Sequence, residues 1–189
     1  MKINSHELLA ELTALVNEHL ERGEGLLQLP EETLNRKPDV TSWSTLECLE
    51  HMNLYGDHYL PEMKRQIGKS RHNPSPSYRP GWFGNWFAGM MQPKEKLNKM
   101  KTFKSKDPWG STLDKGVVGR FIEQQKALLG ILQEAKGADL GRVRVPMTIP
   151  LMRVKLGDTL RFFVNHNERH MRQVERVLID IQKGHSLVK

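Results

Sequence analysis

The chain has 189 residues, a formal net charge of +7 and a single cysteine, Cys48. That length is most simply one domain, residues 1–189, able to bury about two-thirds of the surface its unfolded form exposes. One cysteine excludes an internal disulfide, Lys2, His6, Glu7 and Glu11 break up the leucines a signal peptide would need, and no run of eighteen apolar residues occurs, so the expectation is a soluble cytoplasmic protein.

The first predicted helix runs from about Ser5 to Arg22. Leu8, Leu12, Leu15 and His19 form one stripe, Asn4 is its N-cap, and Gly23 and Gly25 are expected to end it. The second starts at Ser44, where Ser44-Thr45-Leu46-Glu47 reads as a capping box, and continues through Met52, Tyr55, Tyr59 and Met63 to Gly68, with a bend at Pro61. A long connection follows, Arg71 to Gly110, holding five prolines, three of the four tryptophans and six lysines between Lys94 and Lys106. Its aromatics argue against disorder, and Trp82, Phe83, Trp86, Phe87 and Met90 have the spacing of a short apolar-faced helix over Gly81–Gln92.

The third long helix is predicted from Thr112 to Lys136, with Val117, Val118, Phe121, Ile122, Leu128 and Leu132 inward. Arg142 to Pro150 is an extended crossing, because Pro146 and Pro150 forbid a helix. The fourth helix runs from Gly157 to about Gln182, where Leu160, Phe163, Asn167, His170, Val174, Val177 and Ile181 recur at steps of four and three. The fold class is therefore all-α: a four-helix bundle with a long Pro-, Trp- and Lys-rich connection between the second and third long helices.

Histidines carry the chemistry. His166 and His170 lie one turn apart on the fourth helix, so both imidazoles can reach one metal ion, and His51 holds a comparable position beside the apolar stripe of the second. Antiparallel packing of those helices would bring all three rings together. His19 is the rival third ligand. His58 is too far along its helix to share the ion and reads as exposed or supporting, and His6, His72 and His185 read as surface. Glu168 is not placed as a zinc protease requires, since Asn167 follows the first histidine, and Glu47 belongs to the capping box. No Gly-rich phosphate loop, nucleophile elbow or activated cysteine is present, and no nucleic-acid recognition motif accompanies the basic run.

Trp43-Ser44-Thr45-Leu46-Glu47 with His51, and far downstream His166-Asn167-Glu168-Arg169-His170 with Gln173, resemble the paired signatures of the DinB-like family of bacterial four-helix bundles. The resemblance covers most of the chain. It implies a divalent metal, zinc or nickel, on His51, His166 and His170, and a homodimer. Related members include bacillithiol S-transferases and mycothiol-dependent isomerases, which implies a small-molecule substrate and a low-molecular-weight thiol passed to an electrophile, or hydrolysis of a small substrate. Gln173 is placed to orient a ligand, while Trp82, Trp86 and Phe87 either cover the site as a lid or, the preferred reading, pack the long connection onto the bundle. The rival readings are a non-catalytic metal-binding protein and a peripheral membrane module using the Trp82–Lys106 segment. Membrane association is the weaker of the two, and no nucleic-acid partner is expected.

Overall fold

The computed structural model describes residues 2–91 and 102–186, the side chains at 87–88 and 184–186 excepted. In chain order the elements are β1 (Ile3–Asn4), α1 (Ser5–Leu26), α2 (Glu31–Asn35), α3 (Thr45–Lys69), β2 (Ser77–Tyr78), α4 (Trp82–Met91), a 3-10 turn (Lys104–Lys106), α5 (Gly116–Ala135), β3 (Arg144–Pro146), β4 (Arg153–Lys155) and α6 (Leu156–Ser186). The bundle is α1, α3, α5 and α6. Lys94, Lys96, Lys99 and Lys101 of the basic run lie outside the described residues, as does the side chain of His185.

Local chemistry fixes the helix starts. Asn4 accepts from the backbone N–H groups of His6 and Glu7, and Ser44 and Glu47 form the reciprocal capping box at the head of α3. The far end of α1 differs from expectation, while that of α3 falls within a residue of it. α1 continues through Gly23 because that glycine serves packing: a Cβ there would stand 3.2 Å from the Phe121 ring and 3.3 Å from Ile122, so its absence lets α1 and α5 approach. Pro61 sits at an exposed position and α3 continues past it to Lys69. Two short antiparallel strand pairs, β1 with β2 and β3 with β4, are additions that periodicity alone does not announce.

Pairwise contacts give the helix directions. His51 meets His166 and His170 while Tyr59 meets Phe162 and Phe163, so α3 and α6 are antiparallel. Glu50 pairs with Arg120 and Asp57 with Gln124, so α3 and α5 run parallel. Gly23 faces Phe121 and Leu27 receives Lys115, so α1 and α5 are antiparallel. Parallel neighbours require a return journey. Coming back along the 25-residue α3 spans roughly 37 Å at 1.5 Å per residue, and this is the work of the segment 70–115. It is anchored at one end by Asp158, buried at the start of α6, which accepts from Tyr78 Oη at 3.3 Å and Gly81 N–H at 2.7 Å. Gly157 makes room for that anchor, since a Cβ there would fall 2.5 Å from the Tyr78 ring.

The apolar core comes in two blocks. One gathers Leu8 to Val16, Tyr55 to Met63, Leu128 to Ala135 and Leu156 to Val164; the other gathers Leu26, Leu46 to Met52, Val117 to Ile122, Met171 and Val174. No helix among the described residues is long and apolar enough to cross a membrane.

Candidate metal centre

α3 and α6 bring His51, His166 and His170 together near the second block. One nitrogen from each ring lies within 4.8 Å of the others. His51 Nε2 and His166 Nε2 are 3.2 Å apart, and the ring centres of His170 stand 4.5 Å from His51 and 4.6 Å from His166. Two nitrogens each 2.0–2.1 Å from one tetrahedral ion would be separated by about 3.3 Å, which is the spacing seen for the first pair.

Hydrogen bonds settle the tautomers of two rings. His51 Nδ1–H donates to the Lys106 carbonyl at 2.7 Å, and His170 Nδ1–H donates to Gln173 Oε1 at 3.1 Å. A neutral ring that donates from Nδ1 keeps a bare lone pair on Nε2, which in His51 is the nitrogen that faces His166. All three rings are held neutral. Burial drives His51 down to about 4, against the opposing pull of the Lys106 carbonyl. Burial, then the neighbouring rings, pushes His166 and His170 well below the ordinary histidine range.

The surroundings are aromatic. Trp43 lies 4.9 Å from His51 and 6.1 Å from His170, ring to ring; Tyr55 lies 5.0 Å from His51 and 4.5 Å from His166. The Lys106 ammonium stands 5.7 Å from the centre of the Tyr55 ring. Burial raises the Tyr55 phenol to about 12 and pushes the Cys48 thiol up as well, so neither is a ready base or nucleophile. Glu47 is fully engaged by the capping box, by Lys37 Nζ at 2.8 Å and by Gly110 N–H at 2.8 Å.

The other candidates fall elsewhere. His19 is buried on α1 and donates from Nε2 to Glu168 Oε2 at 3.0 Å, away from the cluster. His58 is partly buried and donates from Nε2 to the Pro146 carbonyl at 3.3 Å; His6 and His72 are exposed. The expected lid is displaced. α4 docks on the start of α6, with Asn85 bonded to Arg161 and Gly84 against Asp158, while Trp82 and Trp86 point outward at 85% and 54% exposure. The Phe87 side chain is outside the described residues. Cover over His51 comes instead from Trp43 and the backbone at Lys106. Tyr55, one turn after His51 on the same face, had a legible signal; the Lys106 carbonyl had none, because every residue type presents one.

Among solved structures, YfiT from Bacillus subtilis, reported as a probable metal-dependent hydrolase with an unusual four-helix bundle topology, is similar over 92% of this chain and 85% of its own, at 13% identity and a TM-score of 0.48. No curated protein matches the chain significantly. The sequence pattern of the DinB superfamily matches residues 6–174, which take in α3, α5, nearly all of α1, the first part of α6 and all three clustered histidines, and the chain belongs to that superfamily.

Proposed function

We propose that His51, His166 and His170 hold a divalent cation, zinc or nickel, and that the chain is a metal-dependent enzyme acting on a small electrophile. The observation that carries this reading is the convergence of the imidazole nitrogens, with two rings, His51 and His170, left with a bare Nε2 by bonds at Nδ1. Three neutral protein ligands leave a coordination position open, as in catalytic rather than structural sites. An ion held by His51, His166 and His170 would supply Lewis acidity to a thiol or water.

The family resemblance favours a thiol as the nucleophile over water. Either nucleophile would lose its proton to solvent on reaching the ion, since no carboxylate joins the three histidines among the described residues to take it. Tyr55 and Trp43 present apolar walls to the incoming substrate, and Gln173 orients His170. A homodimer is the expected assembly and is checked by light scattering.

The test is metal analysis of purified protein beside His51→Ala, His166→Ala and His170→Ala. Wild type is expected to carry about one equivalent and each folded variant to lose it. Stoichiometric metal in all three variants would overturn the ligand set. Metal-loaded protein is then offered several small thiols with a model electrophile, and, separately, activated esters and amides. Turnover of the esters or amides alone would replace thiol transfer by hydrolysis.

A further inference from the structure

The two apolar blocks of the core are separated by a polar level. Between them every bundle helix buries polar side chains, and the most deeply buried are His19 of α1, Asn53 of α3, Gln125 of α5 and Asn167 of α6, none more than 1% exposed; α6 also buries His166, Glu168 and Arg169 at this height. Helix register places them together. Gly23 faces Phe121 and Ile122, so His19, one turn back along α1, faces Gln125, one turn on along the antiparallel α5. His19 bonds Glu168, the neighbour of Asn167. Asn53 bonds α5 through its amide nitrogen, which donates to the Val117 carbonyl at 3.0 Å, and its own carbonyl accepts from Gln124.

Each of the four most deeply buried carries an atom without a partner: His19 Nδ1, Asn53 Oδ1, Gln125 Oε1 and Asn167 Oδ1. His166 Nδ1, on the same stretch of α6, also makes no hydrogen bond of good geometry, although the adjacent Asn167 amide stands near enough to favour its proton. The other such side-chain atoms among the described residues, Ser5 Oγ and Thr45 Oγ1, lie at helix starts. Three of the orphans are amide oxygens, which only accept, so they cannot satisfy one another and need a donor. His166 has the opposite need. With Nε2 turned to the cluster, its neutral ring carries its hydrogen on Nδ1 and needs an acceptor, the part that Lys106 plays for His51 and Gln173 plays for His170. Water both donates and accepts, and buried waters make about three bonds each to groups of this kind.

We infer that the level formed by His19, Asn53, Gln125 and Asn167 binds ordered water inside the bundle, and that this water holds His166 by its Nδ1–H. The role toward His166 rests on the metal reading above; the hydration does not. Gln125, on a helix that supplies no ligand, and Asn53, two residues from His51 on α3, are positioning residues that act on His166 through this water.

The first test needs no variant. Protein with nitrogen-15 in its histidine rings and side-chain amides is examined for transfer from long-lived water. Cross-peaks from water to the Asn53, Gln125 and Asn167 amides are expected with or without metal, and to His166 Nδ1–H once zinc is bound; their absence from the amides overturns the inference. The second test uses Gln125→Leu and Gln125→Asn. The leucine variant is expected to hold or raise the melting temperature of the metal-free protein while weakening zinc binding tenfold or more, and the asparagine variant, which keeps an amide, to bind within about threefold of wild type. Lowered stability with unchanged zinc affinity would make Gln125 ordinary packing and overturn its positioning role. Failure of wild type to bind zinc would sink the metal reading and the role of His166 with it, while the amide cross-peaks still decide the hydration.

Discussion

α6 carries two buried histidine arrangements on opposite faces, and they solve the same problem in different ways. On the face toward α1, His19 lies against Glu168, whose carboxylate also accepts from Arg22 at 3.3 Å and Arg172 at 2.6 Å. On the face toward α3, His51, His166 and His170 lie against one another with no carboxylate among them. The first is closed around its carboxylate, which takes three donors, though His19 Nδ1 is left without a partner. In the second, three basic nitrogens converge with no carboxylate among them within the described residues, an arrangement that a cation or a shared proton would make favourable. The difference separates a histidine that holds helices together from histidines that, on the reading proposed above, would hold an ion.

Acid should divide the two faces by pH, and this is the largest expected effect. His51 has its folded pKa lowered from 6.5 to about 4, so the unfolded chain binds the extra proton first as pH falls. Its contribution is full above pH 6.5 and is lost between 6.5 and about 4, roughly 3 kcal/mol for this ring alone, and His166 and His170 shift in the same direction. Glu168 behaves otherwise. Burial acts to raise it, but the bonds from His19 and Arg172 and the charge of Arg22 win and hold it at about 2, so its contribution survives until pH drops below 4.5. Urea unfolding of metal-free protein should therefore show stability falling steadily from pH 6.5 to 4.5. A flat profile over that interval would mean the three rings are not neutral and buried as described.

Substitution of His19 tests the closed group. His19→Ala leaves Glu168 buried with two arginines and removes its one fully buried donor, for an expected loss of roughly 2–3 kcal/mol in urea unfolding with metal stoichiometry unchanged. Loss of metal in this variant, with the fold intact, would erase the distinction between the two faces. Gln173→Ala is a smaller change. It removes the acceptor that fixes the His170 tautomer, and zinc affinity should fall about tenfold, whereas Gln173→Glu keeps an acceptor and should bind close to wild type. Equal affinities for all three proteins would show that His170 needs no orienting partner.

The face that carries the histidine cluster was readable in the sequence because helical periodicity is a strong signal there: His166 and His170 share a face at a spacing of four, while Glu168, two residues from either, must point about 200° away. The capping box at Ser44 marked the start of α3, which fixed the height of His51 in the bundle. What the sequence could not settle was set by the packing of distant segments. Gly23 reads as a stop until the Phe121 ring is known to lie against it. The parallel course of α3 and α5 depends on the path of the connection, and the 70–115 segment looked like a lid because its length had another cause, the return across the bundle. The Lys106 carbonyl and the polar level at Gln125 escaped for the same reason, since neither has meaning until four helices are set side by side.

The smallest expected effect concerns the tryptophans of that connection. α4 meets α6 through the Gly81 N–H on Asp158, Gly84 against the same carboxylate, and Asn85 on Arg161, and those α6 positions lie one to three turns before His166 and His170. Trp82 and Trp86 project outward from this contact, and the indole that does face the imidazoles is Trp43, from the segment leading into α3. A Trp82→Ser, Trp86→Ser double variant should thus change unfolding free energy by no more than about 0.5 kcal/mol per site and leave zinc affinity and turnover as they were. Trp43→Ala should lower turnover, because it opens the aromatic wall beside His51 and His170 to water. If turnover instead falls with Trp82 and Trp86 and survives loss of Trp43, α4 must swing over the centre during the reaction, and the cover seen at Trp43 and Lys106 is not the one that matters.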